Sequence, residues 1–150
     1  ACVVAVAMAD GCDSLAQIAV KAQWAQAYGE AESRSELSVA IFSSLFNHDP
    51  SCRAMFDSVN VAHMHSADFK AHCLRVTCAI NRLISQIDQS DVLSADLAKL
   101  ASQHVSRGAS AAHFSALGDA LVSVVPGHLD CFSIDAWRDC YGVLAAGIQG

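Results

Sequence analysis

Residues 69–104, FKAHCLRVTCAINRLISQIDQSDVLSADLAKLASQH, decide how this chain folds. Phe69, His72, Val76, Ile80, Leu83 and Ile87 recur at steps of three and four residues, tracing one face of a helix. Leu93, Leu97, Leu100 and His104 repeat that spacing on a second helix. Each stripe carries an imidazole among aliphatic neighbours. A single histidine so placed is ordinarily a satisfied core residue. Two of them on successive apolar helices point instead to a flat cofactor held between the helices.

The remainder of the chain supports an all-helical reading. Its only prolines are Pro50 and Pro126, and few stretches alternate with period two. A first helix is expected over about 13–28, with Asp13 or Ser14 as cap, Gly29 beyond its end, and Leu15, Ile18, Ala22 and Trp24 facing inward. A second, about 33–47, would start at Ser33 with Glu36 three residues on, a capping-box pattern. It would bury Leu37, Ile41, Phe42, Leu45 and Phe46. A helical turn from Pro50 through Met55 and Phe56 leads into an irregular stretch, 57–65. The helices of the two histidines follow at about 66–88 and 93–106, the latter ending near Gly108. Two more, about 110–125 and 134–148, complete the chain. Haem suits such a scaffold, because it needs an apolar slot and one neutral imidazole on its iron.

Composition narrows the function. A chain of 150 residues fits one domain with a substantial core. At 53% hydrophobic and 16% charged residues it is apolar for a soluble monomer, which implies surface given to a large ligand or to neighbouring subunits. Fifteen acids against nine bases leave a net charge of -6, which argues against a nucleic-acid partner.

Residues 1–9, ACVVAVAMA, read as the end of a secretory leader with a small-x-small cleavage site, too short to span a bilayer. Residues 10–150 would then form a single domain working outside the cell. Seven cysteines fit that compartment. No CxxC spacing suggests zinc. Cys73 and Cys78, five apart on one helix, point about 140° away from each other and cannot pair. The pairing of Cys52 and Cys78 is open at this level.

In order and at matching intervals, several motifs resemble a globin, specifically the extracellular haemoglobin chains of annelids and related marine worms. They are Cys12, Val20-Lys21-Ala22-Gln23-Trp24-Ala25, and Pro50 followed by Phe56. Ala71-His72-Cys73-Leu74-Arg75-Val76 and Leu97-Ala98-Lys99-Leu100-Ala101-Ser102-Gln103-His104 come next. Ala136-Trp137-Arg138-Asp139-Cys140 and Gly147-Ile148-Gln149-Gly150 close the series. The resemblance covers about 12–150 and implies a globin fold of seven to eight helices around a haem b (iron protoporphyrin IX) pocket.

It further implies His104 as the proximal iron ligand and His72 as the distal residue that hydrogen-bonds O2. Phe56 would wedge against the porphyrin, Val76 would lie over the distal side, Phe42 deeper in the pocket, and Leu100 would line it. Trp24 would anchor the first helix. Arg75 would reach a haem propionate or stand as a solvated surface charge, while Lys99 and Arg107 are expected to be ordinary surface charges. A Cys12–Cys140 disulfide is implied, and Cys131 is either an interchain disulfide partner or a free thiol. Cys73, directly after His72, matches the free cysteine proposed to carry sulfide in such proteins; its plain reading is a small buried hydrophobe.

The function so implied is extracellular oxygen transport, as one subunit of a large assembly of related globin chains, with or without linker chains. A haem peroxidase-type globin enzyme is the alternative. His63 and His65, even with Asp68, form only a weak zinc signal. Trp137 and Tyr141 are expected in the core or at a subunit contact.

Overall fold

A computed structural model describes residues 11–29 and 31–149. The expected leader, residues 1–9, lies outside them. The described residues form six α-helices joined by 3-10 turns, with no strand among them. Helix α1 (Ser14–Tyr28) is capped by Asp13, whose carboxylate accepts the amide N–H of Ala16. Its C-terminal Gly29 keeps a right-handed φ of -65°, and a Cβ there would meet the carbonyl oxygen of Ala25 at 2.7 Å. Helix α2 (Ala31–His48) begins two residues earlier than Ser33, so that serine lies inside the helix. The segment expected to be partly irregular is a run of 3-10 turns, Pro50–Val59 and Val61–His63, broken at Asn60 with φ 61°. Asp49 caps it by accepting the Ser51 N–H. Helices α3 (Ala67–Ser85) and α4 (Ser90–Val105) carry His72 and His104. Helix α5 (Ala111–Val124) passes through a 3-10 turn, Val125–His128, towards α6 (Ile134–Gln149).

The core forms where α2 packs on α3 and α5, and where α6 packs on α1, α4 and α5. All five buried positions expected of α2 are buried. On α1 only Trp24, of the four positions expected to face inward, is buried. Leu15 and Ile18 are 60% and 63% exposed and Ala22 is exposed, whereas Ala16, Val20, Trp24, Ala27 and Tyr28 are buried. This helix is apolar on two sides, and the side holding Trp24 buries more surface and finds more partners. The Trp24 indole N–H donates to Asn81 Oδ1 at 3.0 Å, tying α1 to α3. Ser38 and Thr77, both fully buried, share a 2.8 Å hydroxyl bond where α2 crosses α3, so neither polar group is left unpaired. A disulfide joins Cys12 to Cys140 and closes a loop with a sequence separation of 128.

Candidate functional site

The helical packing leaves a cavity of about 650 Å³, lined by the last turns of α4, one face of α3, the 3-10 run and the start of α5. His72, Val76, Phe42, Phe56, Leu100 and His104 all line it, as does Arg75. The two apolar stripes converge because each helix has one buried face, and the two faces look into the same space.

His104 sits in the last turn of α4. Its Nδ1 is 2.8 Å from the carbonyl oxygen of Leu100, one turn earlier. A carbonyl only accepts, so Nδ1 carries the proton and donates it. The other nitrogen, Nε2, keeps its lone pair free for a metal. Phe114 of α5 packs against the imidazole, with ring centroids 5.5 Å apart.

His72 is a different case. Phe42 and Phe56 flank its ring at 5.5 and 5.3 Å, and the two phenyl rings meet edge to face at 5.3 Å. Within this aromatic collar the His72 Nε2 is buried without a hydrogen-bond partner. It is the one such side-chain nitrogen or oxygen among the described residues. Desolvation pushes the His72 pKa below its ordinary value, and the charges of Arg75 and Arg107 push the same way. The imidazole is therefore held neutral. A neutral, unpartnered ring nitrogen in an apolar collar suits a small polar ligand.

Sequence reasoning missed several lining residues. Arg107, expected to be an ordinary surface charge, is exposed but lines the cavity and acts on His72 electrostatically. It lies in the turn after α4, where no periodic signal exists. Met55, Phe114, Leu117 and Ile148 also line the space. His113 closes the capping box of α5, its Nδ1 accepting the Ser110 N–H at 3.1 Å. Lys99 is exposed.

The chain matches the globin family over residues 39–148. The chain belongs to the globin family. This globin is 33% identical over 139 residues to a monomeric extracellular globin of Tubifex tubifex, which spans 92% of the chain and 99% of the relative. It is 34% identical to extracellular globin-1 of Metaphire hilgendorfi over the same shares. It is 38% identical to extracellular globin-4 of Lumbricus terrestris over 73% of each chain.

The thiols of this globin divide clearly. Cys52, Cys73 and Cys78 are free, the first two buried and the third exposed. Cys73 is 0% exposed, and burial pushes its thiol up to about 12. It lacks the access and the thiolate character that reactivity requires. The fold uses it as a small hydrophobe between helices. Cys131 is disulfide-bonded, which rules out the free-thiol reading. His63 and His65 are both exposed, and no group of three metal-ligating side chains occurs among the described residues. No described helix is long and apolar enough to cross a membrane. Trp137 is a core residue, its indole N–H donating to Gln23 Oε1 at 2.8 Å.

Proposed function

We propose that this globin is an extracellular oxygen carrier that binds haem b in the α3–α4 cavity. The observation that carries this reading is the pairing of His104, locked with Nε2 free, with His72, whose buried Nε2 has no partner, on one apolar cavity. These donors fit haem: one neutral imidazole for the iron, apolar walls for the porphyrin, and a second imidazole for a ligand. Ferrous haem, when bound, supplies the metal that takes up and releases O2.

The chain's own residues do the rest. His104 would hold the iron, and its bond to the Leu100 carbonyl fixes the plane of its ring. Phe42, Phe56 and Val76 exclude water from the distal half. His72, kept neutral, offers a hydrogen bond to a polar ligand, worth about 1–3 kcal/mol in such a site. Arg75 and Arg107, at the cavity wall, provide positive charge for the propionates.

The names of the relatives support secretion, and the exposed Leu15, Ile18, Val92, Val105, Ile134 and Val143 offer apolar surface for contact with related globin chains; we propose that such contacts extend to a large assembly with linker chains. The mass of the native particle tests that association. Sulfide carriage at Cys73 requires an opening that exposes it, and oxygen carriage does not depend on it. The test of function is the visible spectrum of the reduced protein as O2 is added and withdrawn. A reversible change through several cycles is expected. Rapid irreversible oxidation with turnover of peroxide would favour the peroxidase-type alternative.

A further inference from the structure

We propose that a slot between α5 and α6 binds a small zwitterion, an α-amino acid with an apolar side chain, and that its occupation is felt at His104. The slot has a volume of about 380 Å³, and neither His72 nor His104 lines it. Binding there is independent of the haem reading above, whereas the effect on oxygen rests on it. Glycine shapes the slot. A Cβ on Gly118 of α5 would meet the Tyr141 ring of α6 at 2.7 Å, so the missing side chain lets that ring lie against α5. Gly142 lines the slot, and a Cβ on it would meet nothing within 4 Å, which leaves the α6 wall open beside the ring. The Tyr141 ring and the small wall residues Ala145 and Ala146 give an apolar body a surface to lie on.

Charge sets the class of ligand. Asp119 follows Gly118 on one wall, and Arg138 stands three residues before Tyr141 on the other. Both charges therefore fall within about one helical turn of the Gly118–Tyr141 contact. The Asp119 carboxylate acts on the Tyr141 hydroxyl electrostatically. Asp119 and Arg138 both line the slot and are exposed, yet neither belongs to an ion pair among the described residues. Opposite charges that face one slot without meeting leave room for a molecule that carries both. The guanidinium takes a carboxylate through two N–H donors, and the Asp119 carboxylate takes an ammonium. An apolar anion or an apolar amine satisfies only one of the two.

The slot and the haem cavity share a wall, because Leu121, Trp137 and Tyr141 line both. The Tyr141 hydroxyl donates to the Phe114 carbonyl at 2.7 Å, and the Phe114 ring packs on the His104 imidazole with centroids 5.5 Å apart. A ligand that shifts the Tyr141 ring therefore acts on the residue packed against His104. Such a linkage is reciprocal, so oxygen and the amino acid change each other's affinity by the same factor.

The test titrates L-phenylalanine into the haem-loaded protein, reduced and held under carbon monoxide, and follows the Gly118 and Gly142 amides by nitrogen-15 NMR. Saturable shifts with a millimolar dissociation constant are expected. Phenylacetate and phenethylamine, each lacking one charge, should bind at least about fivefold more weakly, as should L-phenylalanine to Asp119→Asn or Arg138→Gln. Gly142→Leu, which fills the slot from an exposed helix position, should abolish the shifts and leave the haem spectrum unchanged. No saturable shift, or equal binding of all three compounds, overturns the site. Shifts that depend on protein concentration alone, with a doubled particle mass, would give the slot to a second copy of the chain and overturn it too. The oxygen half-saturation pressure should move with L-phenylalanine in the wild type and stay fixed in Gly142→Leu. An unmoved wild type overturns the link to His104. A chain that gains no porphyrin band would refute the haem reading, and the same titration of that chain would still decide the site.

Discussion

His104 Nδ1 lies 2.8 Å from the carbonyl oxygen of Leu100 on the preceding turn of α4. The bond is made within one helix, so it exists before any cofactor binds and prepares Nε2 as a ligand. Nitrogen-15 NMR of the cofactor-free chain should find His104 in the Nδ1–H tautomer. An Nε2–H tautomer would show that the ring is not prepared in this way.

The His72 pKa is lowered first by desolvation, then by Arg75 and Arg107. The unfolded chain, with histidine near its ordinary 6.5, therefore takes up protons before the folded one does. Stability of the cofactor-free chain from this group is full above that value and declines as pH falls towards the folded pKa. Urea unfolding of the wild type and of His72→Leu at a series of pH values should show this decline only in the wild type. Arg75→Ala should move the NMR titration of His72 upward, and an unchanged titration would remove the arginine from the account.

The same substitution separates stability from function. His72→Leu removes a buried nitrogen without a partner, and the cofactor-free variant should be more stable by about 1 kcal/mol, because the ring is only half-buried. The haem-loaded variant should release oxygen faster. Stopped-flow release as slow as in the wild type would contradict the role given to His72.

Cys12 and Cys140 close nearly the whole chain, and the loop-entropy account assigns such a link about 5 kcal/mol. Cys12→Ser with Cys140→Ser should lower the urea midpoint strongly, with the haem spectrum of the folded protein unchanged. A midpoint within error of the wild type would show that the link contributes little.

Among the free thiols, Cys78 is exposed while Cys52 and Cys73 are buried. A maleimide applied to the native protein should modify Cys78 quickly and reach Cys52 and Cys73 only after denaturation. Prompt labelling of Cys73 would show an opening and would revive its role in carrying sulfide.

The stripes of α3 and α4 were legible in the sequence because each helix has a single buried face, and a period of 3.6 residues records that face directly. His72 and His104 could therefore be placed before any coordinates. The orientation of α1 was not legible, because Leu15 and Ile18 mark a second apolar side as convincing as the one around Trp24. The 3-10 run after Pro50 leaves no α-helical period to read. Arg107 acts from a turn, where charge says nothing of direction, and only the folded chain brings it into the cavity wall. The Leu100 bond lies between a side chain and a backbone carbonyl four residues earlier, so the spacing permits it but does not reveal it.

The most direct measurement is the absorption spectrum of His104→Ala beside the wild type, each loaded with haem, reduced, and exposed to oxygen. The wild type should show a sharp porphyrin band that shifts reversibly with the gas. The variant should bind haem weakly and lose that reversible shift, recovering a ligated spectrum when free imidazole is added. A variant with the wild-type band and the same oxygen curve would contradict the assignment of His104 as the residue that holds the iron.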